Sequence, residues 1–366
     1  MEQIINKFVS DEIKLLFIPG LTAFIISYLG TIYVIKLAKK WGLVDDPKKH
    51  KHPKVIHTYP VPRGGGLAIF LAVLFAASIY LPFDKHLRGI ILGAFILTIL
   101  GLLDDKYDIN PYLRLLVQFI AAGMPIIGGI GISFLSNPGG GIIDLSHPQI
   151  SINIFGEVRN IWLLSDIFAL FWIVTLMNFL NIGAKGVDGQ LPGITAIAGA
   201  TIAALSLRFS ADITELSVII LAAIVCGAYL GFLPWNFYPQ KIMPGFSGSS
   251  LAGYFLAVLS ILSTTKVGTL FLVLGIPLID SGYTIIRRVL SGKSPVWGDA
   301  GHLHHRLLDA GLSKKQVSYF YWFITAILGI LALNLNTQSK VYTIVGVIIF
   351  VGGLILWLTY RPKSSK

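Results

Sequence analysis

Gly101-Leu102-Leu103-Asp104-Asp105-Lys106-Tyr107-Asp108 closes an apolar run that begins near Ile90. The next polar residues, Asn110 and Arg114, lead straight into a second apolar run. If both runs cross a bilayer, the three carboxylates sit where hydrocarbon meets water, hydrated on one side and within reach of a lipid headgroup on the other. Two readings stay open. Such acids can be solvated helix ends, with Asp104 or Asp105 capping a terminus. A trio this close also suits a metal or phosphate site.

Composition decides the class. Of 366 residues, 54% are hydrophobic and 13% charged, with a mean hydropathy of +0.75. A soluble domain carries about a quarter charged residues, so this is a membrane protein. The first fourteen residues lack the basic start and small-residue cleavage site of a signal peptide, so the first span is expected to be retained. The single cysteine, Cys226, excludes an internal disulfide and a zinc–thiolate cluster.

Windows of about 17–25 apolar residues predict eleven spans, near 15–35, 66–83, 88–103, 114–135, 161–180, 191–207, 214–233, 249–264, 267–286, 317–335 and 341–360. The expectation is an all-α polytopic membrane protein of one domain, residues 1–366, with its motifs in 48–312 and two further spans at 317–360. Between residues 136 and 160, Asn137-Pro-Gly-Gly-Gly141 and the alternation from Ile150 to Val158 predict a turn and a small hairpin. With the N-terminus outside and the C-terminus cytoplasmic, 21 of the 29 Lys and Arg fall on the inner side and 8 on the outer. The basic charge thus faces the cytoplasm, which favours anionic lipid and anionic substrate over nucleic acid.

The inner loops, 37–65, 104–113, 181–190, 234–248 and 287–316, hold nearly every unusual polar residue. The first carries Lys48, Lys49, Lys51, Lys54, His57 and Arg63 before Gly64-Gly65-Gly66. That is either a plain positive-inside signal or a phosphate-binding helix start. Asn178 and Asn181 share a helix face and precede Lys185-Gly-Val-Asp188-Gly189. They can bond helix to helix, or meet a polar ligand or ion together with Asp188. The last loop holds Arg287-Arg288, Lys293, Asp299 and His302-Leu303-His304-His305-Arg306. Imidazole and guanidinium donors at a membrane boundary suit a diphosphate better than zinc, because the spacing is not His-Glu-x-x-His.

These blocks together resemble the polyprenyl-phosphate N-acetylhexosamine-1-phosphate transferases, from about Lys54 to Leu312. The resemblance rests on Lys54-x-x-His57-x-x-Pro-x-Pro-Arg63-x-Gly-Gly and on Gly101-x-x-Asp104-Asp105 followed by Arg114-Leu-Leu-x-Gln118. It continues in Asn178-x-x-Asn181…Asp188-Gly189 and in Pro277-Leu-x-Asp280…Arg287-Arg288…Gly292-x-Ser-Pro295…Asp299-x-x-His302-x-His304-His305-Arg306-Leu307. The histidine block looks like the branch that uses UDP-N-acetylglucosamine or related UDP-sugars. Two departures stand out. The family's Asp-Gly-x-Asp-Gly reads Lys185-Gly-Val-Asp188-Gly189, with one extra residue after Asn181, and its Gly-Asp-x-Gly-Ser reads Gly245-Phe246-Ser247-Gly248-Ser249. The family's acid at the second of these is a Mg²⁺ ligand, and phenyl cannot ligate.

The resemblance implies transfer of a sugar-1-phosphate from a UDP-sugar to a polyprenyl phosphate such as undecaprenyl phosphate, releasing UMP, on the cytoplasmic face of a bacterial plasma membrane. It gives Asp104, Asp105 and Asp188 catalytic positions. Lys54, His57, Asn178, Lys185, His302, His304, His305 and Arg306 would bind substrate. A weakened Mg²⁺ or Mn²⁺ site would fall to Asn181 and Asp105. Partners would be UDP-sugar, polyprenyl phosphate and membrane lipid, with homodimerisation left open. Two rivals stand beside it: a transporter, against which the scarcity of ionisable residues inside the spans argues, and a catalytically degenerate binding relative, which Phe246 and Lys185 would explain.

Overall fold

The computed structural model describes residues 2–48, 57–137, 139–154, 157–209, 213–263, 266–294 and 301–360. Among them thirteen helices follow in chain order: α1 (Glu2–Trp41), α2 (Gly66–Tyr80), α3 (Lys85–Tyr107), α4 (Pro111–Ile127), α5 (Leu163–Gly183), α6 (Gln190–Ser206) and α7 (Ile213–Asn236). Then come α8 (Gly245–Leu262), α9 (Lys266–Val273), α10 (Gly275–Leu290), α11 (Leu303–Asp309), α12 (Lys314–Asn334) and α13 (Thr337–Tyr360). The protein is a multi-pass, all-α membrane protein.

Eight of these helices, α1, α3, α5, α6, α7, α8, α12 and α13, are long and apolar enough to cross a membrane. The expected span at 267–286 is instead a broken pair, α9 and α10, bent by 85°. The expected spans at 66–83 and 114–135 are the shorter apolar helices α2 and α4, of 15 and 17 residues. At 1.5 Å per residue such helices reach only about 22–26 Å, short of a hydrocarbon core of about 30 Å. α4 stops at Ile127 because Gly128 and Gly129 follow, the latter at φ 100°, where an L side chain is strained.

The centre of the bundle is α8, buried along nearly its whole length. Its small residues let neighbouring backbones close in. A Cβ on Gly66 of α2 or Gly101 of α3 would collide with the Ser247–Gly248 backbone, and one on Gly253 with the backbone at Leu176 and Met177 of α5. At the other extreme α13 is buried over only 11% of its apolar window and exposes Ile349, Phe350 and Trp357, as a helix facing lipid should.

The acidic stretch ends α3. Asp84 caps the start by accepting from Leu87 N at 2.9 Å. The end is made by Asp108, a left-handed residue at φ 49° whose N–H reaches Asp104 O at 2.9 Å. Asp104 and Asp105 therefore cap nothing and lie within the last helical turn. Carboxylates there face the negative end of the helix dipole, which costs ~0.3–1 kcal/mol each unless other partners intervene.

The 136–160 segment forms two antiparallel hairpins, β3 (Phe134–Ser136) with β4 (Ile142–Asp144) and β5 (Gln149–Ile154) with β6 (Glu157–Trp162). The alternation from Ile150 to Val158 accordingly lies in a β5–β6 pair. A pair not anticipated from sequence, β1 (Val44–Asp45) with β2 (Val61–Pro62), closes the two ends of the basic loop.

Candidate active site at the clustered helix ends

The end of α3 meets the start of α8. Asp105 Oδ1 accepts from Phe246 N at 3.2 Å, at the first turn of α8, where unpaired N–H groups favour an anion. Gly245 holds φ 71°, and a Cβ there would strike the Asp105 carboxylate, so a glycine is required for this approach. Asp105 Oδ2 is buried with no hydrogen-bond partner among the described residues. Asp104 is buried and receives the Arg114 guanidinium, whose Nη1 lies 2.9 and 3.1 Å from its two oxygens. That guanidinium also lies 5.0 Å from the Phe246 ring centroid, a cation–π contact.

The loop between α5 and α6 enters from the other side. Lys185 Nζ donates to Asn181 Oδ1 at 3.1 Å and to Gly245 O at 3.3 Å, while Ser249 Oγ donates to the same Asn181 oxygen at 2.7 Å. Burial pushes the Lys185 ammonium down to about 8, with Asp105 and Asp104 opposing that shift and Arg63 and Arg114 adding to it. Gln190 ties the loop into shape, accepting from Gly186 N and Val187 N and donating to Gly183 O.

Asp188, further along the same loop, belongs to a neighbouring group with His57, Lys314 and Gln240. It is buried, and burial raises its carboxyl above the usual range against the pull of Lys314, Gln240 N–H and His57. Its Oδ2 has no hydrogen-bond partner among the described residues. Tyr59 stands over it, donating to Gln240 O at 3.1 Å, and burial and Asp188 together raise the phenol. His57 lies 3.9 Å from Asp45, which Arg63 pairs at 2.6 Å.

The histidine segment closes a third side. Asp280, fully buried in α10, accepts from Leu303 N at 2.8 Å and so serves the start of α11, with His302 Nδ1 3.4 Å from its other oxygen. His302 also faces Thr284 and Arg288. The His302 and His304 rings stack at 5.4 Å, and His305 lies 4.3 Å from His304. His304 packs against Gly186, where a Cβ would meet its ring. The Arg306 guanidinium is turned to Gly301 O at 3.1 Å and to Thr359 at the end of α13.

The structure thus brings Asp104, Asp105, Asn181, Lys185 and Phe246 into one pocket, with Asp188 and His57 beside it and His304, at the start of α11, packed against the loop that carries Lys185 and Asp188. Asn178 is elsewhere: its Nδ2 donates to Gln118 Oε1 of α4 and to Val174 O, both at 2.9 Å, a helix-to-helix bond. Lys54, Pro295 and Asp299 lie outside the described residues. Asp45, Tyr59 and Gln190 were missed, since the first needs the β1–β2 pairing and the others need the fold to bury them. Only Gln190, one residue past the Asp188-Gly189 turn, left a local trace.

A family model described as glycosyl transferase family 4 matches residues 87–264. A Bacillus subtilis protein described as a probable undecaprenyl-phosphate N-acetylglucosaminyl 1-phosphate transferase is 33% identical over 346 residues, 90% of this chain and 89% of the relative. The chain belongs to glycosyl transferase family 4. A decaprenyl-phosphate N-acetylglucosaminephosphotransferase of Mycobacterium tuberculosis is 30% identical over 370 residues, covering 91% and 86% of the two chains. An undecaprenyl-phosphate alpha-N-acetylglucosaminyl 1-phosphate transferase of Haemophilus influenzae is 30% identical over 351 residues, covering 92% and 91%. As a member of this transferase family the chain is an enzyme of that class.

The family-4 resemblance implies a divalent cation, and the oxygens present do not fit one. Mg²⁺ asks for about six oxygens in near-octahedral order. No group of three or more His, Cys, Asp or Glu able to hold an ion occurs among the described residues. Of the two residues expected to serve, Asn181 already accepts from an ammonium and a hydroxyl, and Asp105 accepts an N–H at Oδ1, so that Oδ2 alone would face an ion.

Proposed function

We propose that this chain transfers N-acetylglucosamine-1-phosphate from UDP-N-acetylglucosamine to a polyprenyl phosphate, releasing UMP, on the cytoplasmic face of a bacterial plasma membrane. The observation that carries the reading is Asp105, set against the first turn of α8 with one oxygen buried and unpartnered, beside Lys185. Buried polar atoms without partners are rare and cluster where a ligand completes them. The relatives, described as undecaprenyl- or decaprenyl-phosphate N-acetylglucosamine phosphotransferases, supply the acceptor and the sugar.

In the reaction an oxygen of the lipid phosphate attacks the sugar-bearing phosphorus, and the bond from that phosphorus to UMP breaks. Both reactants are anionic, so alignment and charge neutralisation dominate. Phosphate monoesters, with a second pKa near 6, are largely dianionic at neutral pH. Asp104 and Asp105 then serve more to position than to remove a proton. Arg114 is held by Asp104, and Arg63 by Asp45, at the pocket edge. His302, His304 and His305 would face the diphosphate or sugar, and Asp188 the nucleotide end.

The test is UMP release by the purified protein from UDP-N-acetylglucosamine and undecaprenyl phosphate in detergent, with other UDP-sugars alongside. Lipid-dependent UMP release is the expected result. Binding of the nucleotide sugar without release would select a non-catalytic relative instead.

A further inference from the structure

Of the oxygens that would coordinate a cation in the pocket, Asn181 Oδ1 is held by an ammonium and a hydroxyl and Asp105 Oδ1 by an N–H, which leaves Asp105 Oδ2 open. Lys185 Nζ bridges Asn181 Oδ1 and Gly245 O, at 3.1 and 3.3 Å. Among the charges acting on this ammonium, that of Asp105 is the foremost, followed by those of Arg63, Asp104 and Arg114. Across the pocket, Phe246 presents an aromatic face where a carboxylate would complete a metal site, and that face carries the Arg114 guanidinium at 5.0 Å. Arg114 in turn takes both Asp104 oxygens.

The two departures from the family pattern are therefore one arrangement. Losing an acid at 246 and gaining a base at 185 would leave a divalent site short of ligands and repelled by an adjacent ammonium. Here the base fills the gap by bonding Asn181 Oδ1 and Gly245 O and by setting its charge against that of Asp105. An ammonium has three N–H donors, and two of those on Lys185 are accounted for by Asn181 and Gly245. The third is left for an oxygen of an incoming phosphate. Asn181, Ser249 and Gly245 fix the side chain, so its charge is preorganised rather than recruited.

We propose that Lys185 Nζ is the resident cation of this enzyme, standing where a divalent ion would otherwise sit, so that phosphoryl transfer proceeds without added metal. The proposal rests on the transferase reading above. Lys185 stays protonated and only donates hydrogen bonds; the bonds made and broken are the two phosphorus–oxygen bonds already described.

Two measurements on the purified full chain test it. The first is a Mn²⁺ titration followed by electron paramagnetic resonance without nucleotide. Wild type is expected to bind no Mn²⁺ at the pocket, and the double variant Lys185→Asp, Phe246→Asp to gain one site. A wild-type Mn²⁺ site that Asp105→Asn removes would overturn the proposal. The second is UMP release in EDTA and in excess Mg²⁺. Wild-type rates are expected to agree within about threefold, and Lys185→Met to lose about 100-fold in EDTA, the scale of losing one preorganised donor to developing charge. Loss of wild-type turnover in EDTA with recovery in Mg²⁺ would sink the metal-free claim while leaving the transferase reading intact. No UMP release under either condition would sink the transferase reading, and the Mn²⁺ titration would still decide whether the pocket takes a divalent ion.

Discussion

The pocket between α3, the 184–189 loop and α8 differs in kind from the histidine segment at 302–306. In the histidine segment, much of the polar equipment is spent on the fold: Asp280 on the start of α11, His302 beside Asp280, Thr284 and Arg288, and Arg306 on Gly301 and Thr359. In the pocket, Asp105 Oδ2 is buried without a hydrogen bond, and two acids lie at the wrong end of a helix dipole. The first region builds its own shape, and the second stores unmet electrostatics that a substrate can satisfy. A dense motif is thus not the same as a reactive one.

Substitutions at four positions can break or sharpen that contrast. Asp105→Asn should have the largest effect, a loss of about 10³-fold in UMP release with the melting temperature nearly unchanged, because the site loses a charge whose second oxygen no hydrogen bond within the described residues holds. Turnover near wild type would make the pocket a structural feature. Lys185→Met comes next, at about 100-fold.

The pH profile supplies the sharper measurement for Lys185. The ammonium titrates at about 8, so activity should fall as pH rises through that value. Lys185→Arg, which stays charged, should remove this limb. Stability should move the other way. The unfolded chain keeps its lysine protonated toward 10.5, so it binds more protons than the folded chain from about 8 upward and unfolding becomes harder across that window. A falling melting temperature there would contradict the burial of the ammonium.

His302→Ala should cost stability before activity, about 1–3 kcal/mol in unfolding, because Asp280 would lose a partner in a fully buried place. A selective collapse of UMP release at unchanged stability would make His302 a substrate contact first and a support of the fold second. Arg306→Ala should do least, with UMP release within about threefold of wild type, since its guanidinium is bonded to Gly301 and Thr359. A large rise in the Michaelis constant for the nucleotide sugar would overturn that placement.

Hydropathy alone determined that this chain is an all-helical membrane protein and roughly where its helices run, because a bilayer admits long apolar helices and little else. Local patterns also marked the β5–β6 hairpin and the polar residues gathered at loops. Hydropathy could not tell that 66–80 and 111–127 form short helices, or that 266–290 bends at Leu274, because length and bend depend on what the ends pack against. Nor could spacing show that Asn178 bonds Gln118, that Asp45 holds Arg63, or that Lys185 meets Asn181 and Gly245. Those pairings join residues far apart in the chain or turn on which way a side chain points, and only the packing around α8 brings Asp105 and Lys185 together at Gly245.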